Sequence, residues 1–141
     1  MPTPDSSPPP PEVRLLRVLY AIQVGLPVAL LAVAVALGPT RQAPLAEMTA
    51  LRWIGLVAAL ITTAAASATR SRMDVPRHAD PVERRRAFLL SAIVPWSILE
   101  FGGMVQAVIY WLTADTWMLA TFALLFLLPM ATMTPSRFAG R

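Results

Sequence analysis

The chain has 141 residues, of which 56% are hydrophobic and only 14% are charged, and its mean hydropathy is +0.58. A soluble domain carries about 25% charged residues, and a chain this short cannot bury so much apolar surface in one core. The twelve basic residues are all Arg, His78 is the single histidine, and there is no Cys. Disulfides, thiolate or multi-histidine metal sites, cysteine nucleophiles and a catalytic lysine are therefore excluded, and we expect an integral membrane protein.

Four stretches of the sequence are long enough to cross a membrane. They are residues 18–40, 53–69, 87–114 and 116–136. The stretch 87–114 contains one charged residue, Glu100, and the other three contain none. A spanning helix needs about 20 apolar residues, and in lipid a helix satisfies its own backbone hydrogen bonds. We therefore predict an all-α integral membrane protein with four transmembrane helices that form two hairpins. The predicted spans are residues 18–38, 50–69, 87–113 and 116–135.

The arginines predict the orientation of these spans. Ten of the twelve fall in the N-terminal tail, in the connection between the two hairpins or in the C-terminal tail, and only Arg41 and Arg52 fall in the other connections. Cytoplasmic segments are rich in arginine, so both termini are expected in the cytoplasm. Trp and Tyr side chains favour the membrane–water interfaces. Their positions support the same orientation, because four of them lie at the outer ends of the spans: Trp53, Tyr110, Trp111 and Trp117. The expected location is the bacterial inner membrane, as a multi-pass protein.

Two regions outside the spans have a distinct composition. Residues 1–13 are predicted to be a proline-rich cytoplasmic tail, since six prolines in the first eleven residues favour polyproline or disorder. Residues 14–141 form the predicted four-helix transmembrane domain, in which residues 70–86 are a basic cytoplasmic loop. The first span is retained in this prediction because its apolar region is about twice as long as that of a cleaved signal peptide.

The ends of the helices have recognisable chemistry. Asp80, Pro81 and Glu83 have the pattern of an N-cap, a first-turn proline and a capping-box acid. The third helix should therefore begin near Pro81 and end near Thr113. The following turn is short, with Asp115 or Thr116 as the expected cap of the fourth helix. The first turn of the second helix is predicted around Pro44 and Glu47.

Three consecutive arginines, Arg84, Arg85 and Arg86, follow the predicted start of the third helix. At headgroup level they are suited to docking on anionic lipid or on an acidic partner surface. The simpler interpretation, and the preferred one, is an ordinary positive-inside membrane anchor. Nucleic-acid binding is not expected, because these arginines lie where the membrane rule already requires them.

Glu100 lies near the middle of the third predicted span, where a charge is costly. No Arg, Lys or His lies within the spans to neutralise it. Three interpretations stay open. A protonated Glu100 can bond to Thr62 or Thr63 of the second span, it can contact a partner subunit, or it can exchange protons or ions.

Small residues form two stripes that predict a tight helix–helix seam. The third span contributes Ser97, Glu100, Gly103 and Ala107, and the second contributes Gly55, Ala59, Thr63 and Ser67. The simplest packing of the two stripes places Thr63 opposite Glu100. Gln23 and Gln106 are expected to form interhelical hydrogen bonds.

In size and number of spans the chain resembles the small multidrug-resistance transporters, and its lone membrane carboxyl resembles that of the rotary ATPase proteolipid. Those transporters carry their carboxyl in the first helix, and the proteolipid carries its own in the second helix of a hairpin. Glu100 instead lies in the third predicted helix, the first of its hairpin. No residue role is transferred from either family.

The expected function is that of a non-catalytic accessory or stabilising subunit of a larger integral membrane complex. The chain has no catalytic constellation, and the acids near His78 have no recognised spacing, so an enzyme is not expected. Abundant Ala, Pro and Arg with no Lys or Asn indicate a GC-rich, bacterial genome. A photosynthetic or respiratory assembly is the first expectation. The expected partners are other membrane subunits and anionic lipids.

A second function is kept beside the first. A small proton-coupled transporter or ion-translocating oligomer would use Glu100 as its exchange site. No cofactor is expected to be bound through side-chain ligands in either case, although incidental contacts with lipid, pigment or quinone stay open. Co-purification of partner subunits distinguishes an accessory subunit from a pure homo-oligomer.

Overall fold

The protein is almost entirely helical. The structure, a computed structural model, describes residues 11–38, 45–72 and 80–135, and this part of the chain contains no strand. Its elements are α1 (Pro11–Leu37), α2 (Leu45–Arg72), α3 (Pro81–Thr113), α4 (Thr116–Phe122), a π-helical turn (Ala123–Leu127) and α5 (Leu128–Thr132). The last three follow one another without a break and are called the fourth segment below.

Three helices are long and apolar enough to cross a membrane, namely α1, α2 and α3. The all-helical class predicted from composition is confirmed, and so are three helices of membrane-spanning character. The fourth segment, Thr116–Thr132, is a shorter apolar helix. At 1.5 Å per residue it is roughly 26 Å long, slightly less than the ~30 Å thickness of a bilayer's hydrocarbon core.

Local sequence chemistry predicts several helix ends correctly. As predicted, α3 begins at Pro81 and ends at Thr113, although the Asp80 side chain at the N-cap makes no capping hydrogen bond. The fourth segment is capped by Asp115, which accepts a 3.0 Å hydrogen bond from the backbone N–H of Trp117. Between these helices, Ala114 adopts a left-handed conformation with φ of 52°.

Two predicted boundaries shift, at the tail and at the basic loop. Because α1 begins at Pro11, residues 11–13 are helical rather than part of the tail. A proline fits the first helical position, since it needs no backbone hydrogen-bond partner there. Similarly, α2 continues to Arg72, three residues into the predicted loop. The structure does not describe residues 1–10, 39–44, 73–79 and 136–141. The predicted first-turn position of Pro44 therefore lies outside the described residues.

Helix α3 is the central element, because α1, α2 and the fourth segment all pack against it. One buried core contains Leu16, Ala66, Ala92 and Met133. Leu16 and Ala92 are near the beginnings of α1 and α3, whereas Ala66 and Met133 are near the ends of α2 and of the fourth segment. Consequently α1 and α3 run in one direction, while α2 and the fourth segment run in the other.

This alternation gathers most described arginines at one end of the bundle, called the arginine end. They are Arg14, Arg17, Arg70, Arg72, Arg84, Arg85 and Arg86. Arg52 lies at the opposite end, where its guanidinium forms an ion pair with Asp115. The Asp115 side chain is 5% exposed, so this pair joins the start of α2 to the turn between α3 and the fourth segment.

Two aromatic side chains hold the end of the fourth segment. The Tyr20 hydroxyl donates to the carbonyl of Met130 at 2.8 Å, and the Trp96 indole N–H donates to that of Met133 at 2.9 Å. Their rings meet edge to face, with centroids 5.2 Å apart. Carbonyls in the last turn of a helix lack intrahelical donors. Here α1 and α3 supply side-chain donors, and the Met130 carbonyl also accepts from the backbone N–H of Met133 at 3.0 Å.

Candidate functional site

Three polar side chains join α1 to α3 near the middle of both helices. The Gln23 amide donates to the Ser97 hydroxyl at 2.8 Å, and the Gln23 side chain also interacts with the carboxyl of Glu100. Ser97 and Glu100 are three residues apart, which places them on neighbouring parts of one helix face. These three residues are called the polar cluster.

The polar cluster has hydrogen-bonding capacity left over. The Gln23 side-chain oxygen is buried and has no partner within the described residues. Glu100 is half-buried, whereas Ser97 is exposed. A carboxylate accepts several hydrogen bonds, and an amide oxygen accepts up to two. The Ser97 hydroxyl and the Glu100 carboxyl, which are not fully buried, can therefore accept hydrogen bonds from a group outside the described chain.

A shallow groove of about 370 Å³ lies beside the polar cluster. Thr62 of α2 lines one side, and the remaining lining residues belong to α3: Ile93, Val94, Ser97, Ile98 and Phe101. Because Ser97 also contacts Gln23 of α1, the groove extends from α2 to the edge of the polar cluster. The Phe101 side chain is 64% exposed. This face of α3 is thus uncovered within the described part of the chain.

The predicted partners of Glu100 in α2 bond elsewhere. Thr62 donates to the carbonyls of Ala58 and Ala59 one turn earlier in its own helix. Thr63 donates to the carbonyl of Leu125 in the fourth segment at 2.7 Å. The expected position of Thr63 opposite Glu100 is therefore wrong, and Gln23 of α1 takes the place predicted for the threonines.

A proline explains the position of Thr63. Pro129 lies four residues after Leu125 and has no N–H, so it cannot donate to the carbonyl of Leu125 as a regular helix residue would. The Thr63 hydroxyl supplies that hydrogen bond from α2. Thr63 therefore faces the fourth segment, where it bonds to the carbonyl that Pro129 leaves without a donor, and it does not face Glu100.

The small-residue stripe of α2 begins as predicted and then changes register. Gly55 and Ala59 are buried, and a Cβ at Gly55 would lie 2.9 Å from the sulfur of Met118. Further along, Ala66 is fully buried whereas Ser67 is exposed. A strict four-residue spacing rotates by about 40° per step on a helix of 3.6 residues per turn, which carries the fourth member off the contact face.

The stripe of α3 is divided between two neighbours. Ser97 and Glu100 lie towards α1, while Gly103 and Ala107 are buried. A Cβ at Gly103 would lie 2.9 Å from the Phe126 ring and 3.1 Å from Pro27. The predicted packing of this whole stripe against α2 is therefore wrong.

Gly102, which the stripe analysis overlooks, makes the close approach to α2. A Cβ at this position would overlap the hydroxyl oxygen of Thr62. The adjacent pair Gly102-Gly103 in an apolar helix is the sequence signal that could have indicated it. Gly102 thus allows the close approach of α2, whereas Gly103 allows that of the fourth segment.

The three predicted docking arginines lie far from the polar cluster. Arg84, Arg85 and Arg86 are exposed in the first turns of α3. Arg86 precedes Ser97 by eleven positions, which is roughly 16 Å along a helix. The docking arginines and the polar cluster are therefore separate surfaces.

Two further features limit the chemistry of the described residues. They contain no group of three or more His, Cys, Asp or Glu side chains that could hold a metal ion, while His78 lies outside them. Gln106 is buried at 1% exposure, and neither its amide nitrogen nor its amide oxygen has a partner among the described residues. The interhelical hydrogen bond predicted for Gln106 is therefore not observed there.

Comparisons with protein-family models, with curated proteins and with solved structures find no match for this chain. Its function must be inferred from the residues themselves. The polar cluster and the neighbouring groove on α3 are the features of the described chain that point most directly to a binding partner.

Proposed function

We propose that the chain is a non-catalytic accessory subunit of a larger integral membrane complex. In this proposal, a transmembrane helix of a partner subunit binds in the groove on α3, next to Gln23, Ser97 and Glu100. The observation that carries it is the exposed Ser97 and the half-buried Glu100 beside an apolar groove, on a face of α3 that the described chain leaves uncovered. Hydrocarbon cannot hydrogen bond with these groups, whereas a partner helix can.

The chemistry of the groove indicates what the partner helix presents. Its floor is apolar, with Ile93, Val94 and Ile98, and this surface suits aliphatic side chains. At the edge, the exposed Ser97 hydroxyl and the half-buried Glu100 carboxyl call for a hydrogen-bond donor at the same depth. Interhelical hydrogen bonds in membranes contribute about 0.6–2 kcal/mol each, enough to select the orientation of a bound helix.

The proposed topology has four membrane crossings. The arginine end faces the cytoplasm, in accordance with the preference of arginine-rich segments for that side. The fourth segment also crosses, since a slightly short apolar helix is accommodated by local thinning of the bilayer. The proposed location is a bacterial inner membrane, and photosynthetic or respiratory complexes are the first assemblies in which to search for the partner.

Glu100 provides the experiment that tests the proposal. Glu100→Gln keeps a hydrogen-bonding side chain without charge and should still co-purify with partner subunits in mild detergent. Glu100→Ala removes the side-chain hydrogen bonds and should weaken assembly by about 0.6–2 kcal/mol. Glu47→Gln is the matched control, because this exposed carboxyl in the first turn of α2 lies outside the polar cluster.

The same variants test the transporter alternative. A glutamine cannot release a proton, so a proton-coupled transporter would lose activity in Glu100→Gln while the protein still folds and assembles. That result, or purification of the native chain as a homo-oligomer without other subunits, would contradict the accessory role.

A further inference from the structure

A second cleft lies at the arginine end, between the last turns of α2 and the fourth segment. Its volume is about 520 Å³. On the α2 side it is lined by Ser67, Arg70 and Ser71, whose spacing of three and four residues places them on one helix face. This cleft is separate from the groove on α3.

The lining of the cleft changes from polar to apolar. Arg70 and the Ser67 hydroxyl provide hydrogen-bond donors, while Leu128 and Pro129 provide apolar contact. The hydroxyls of Ser71 and Thr132 also line the cleft, but they donate to the carbonyls of Ala68 and Pro129. The Ser67 hydroxyl makes no hydrogen bond within the described part of the chain, so it can donate to a ligand.

The depth of these groups matches the layers of a lipid. Arg70 lies near the end of α2, where the apolar sequence stops, and Leu128 lies one turn closer to the middle of the fourth segment than Thr132. A phospholipid places its phosphate at the headgroup layer and its acyl chains deeper. The donors and the apolar surface of the cleft follow the same order.

We infer that this cleft binds one anionic phospholipid. The Arg70 guanidinium and the Ser67 hydroxyl donate hydrogen bonds to the phosphate oxygens, and the upper part of an acyl chain lies against Leu128 and Pro129. A guanidinium is well suited to a phosphate group because its N–H groups can donate in pairs. The site differs from the arginine cluster at the start of α3 and does not depend on the partner helix proposed above.

Titration of the purified full chain with phosphatidylglycerol in detergent tests this site. The thermal unfolding midpoint should rise and saturate as the lipid binds to the folded state. Arg70→Gln should need about tenfold more lipid for half of the effect, as expected when a charge-assisted hydrogen bond is lost. Arg72→Gln, which removes the same charge from an exposed position that does not line the cleft, should leave the titration unchanged.

A second variant keeps the charge of Arg70, so that weaker lipid binding can be distinguished from a folding defect in Arg70→Gln. Ser67→Phe places a large side chain at an exposed position on the rim, which should fill the cleft and weaken lipid binding to a similar extent. Phosphatidylcholine and inorganic phosphate should shift the midpoint far less than phosphatidylglycerol does. An equal shift with either compound, an equal loss in the Arg70 and Arg72 variants, or unchanged binding in Ser67→Phe would overturn the site.

Discussion

Buried and half-buried polar side chains of this protein differ in whether the fold supplies their hydrogen-bond partners. Thr63, Tyr20 and Trp96 each donate to a backbone carbonyl of the fourth segment or of the residue that follows it. Gln106 is buried to the same degree as the core, yet neither polar atom of its amide has a partner among the described residues. The first three stabilise the packing of the helices, whereas Gln106 opposes it.

Gln106→Met is therefore predicted to stabilise the isolated chain. Methionine has a similar volume and carries no amide that needs hydrogen bonds, and a buried unsatisfied polar group costs about 1–3 kcal/mol. The measurement is the thermal unfolding midpoint of the purified protein in detergent, which should rise. Gln23→Met is the control and should lower the midpoint, because it removes the hydrogen bond to Ser97 and the interaction with Glu100. A lower midpoint for Gln106→Met would instead show that this amide has a partner, such as a buried water.

At the scale of the helices, glycine determines how closely α2 and α3 approach. Gly102→Ala is predicted to destabilise the bundle by about 1–3 kcal/mol, since the new methyl group overlaps the Thr62 hydroxyl. Adding Thr62→Ala removes that hydroxyl and should restore part of the lost stability. Both effects are measured by thermal unfolding of the single and double variants.

Gly25→Ala provides the matched control for this prediction. Gly25 also lies within a helix, but a Cβ there would meet no atom within 4 Å. Its stability should stay unchanged or rise by up to about 1 kcal/mol, because alanine favours a helix more than glycine does. Equal destabilisation by Gly25→Ala and Gly102→Ala would show that the close contact with Thr62 is not the cause.

The sequence predicts the ends of individual helices better than it predicts which faces meet. Asp80-Pro81 and Thr113-Ala114-Asp115 mark helix ends through local chemistry, and α3 ends at these positions. Small residues in α2 form two overlapping series, one through Thr62 and Ala66 and another through Thr63 and Ser67. Residue size alone cannot choose between them. The choice depends on helix rotation and on the carbonyl that Pro129 leaves free in another element.

The polar cluster could be predicted only in part for the same reason. Glu100 and Ser97 stand out because polar groups are rare in this apolar helix. Their partner, Gln23, lies 74 positions from Ser97 in sequence, and only the parallel packing of α1 against α3 brings them together. A site formed between helices requires the helix arrangement as well as the residue types.

For the whole molecule, the decisive question is whether the fourth segment crosses the membrane. Four crossings place the start of the chain, the connection between the hairpins and the end of the chain on one side, together with ten of the twelve arginines. The described helices alternate in direction in the way that this topology requires. The shorter length of Thr116–Thr132 makes its crossing the step in most need of a direct test.

Single cysteines report this topology without background, because the native chain has no thiol. Gln42→Cys and Thr116→Cys should react with a membrane-impermeant maleimide added to intact cells, since both positions follow an outward crossing. Ser6→Cys and Ala139→Cys should react only after the membrane is permeabilised. Labelling of Ala139→Cys from outside, with Ser6→Cys still protected, would mean that the fourth segment returns to the outer surface without crossing. Labelling of Ser6→Cys from outside, with Gln42→Cys protected, would reverse the orientation and place the arginine end outside.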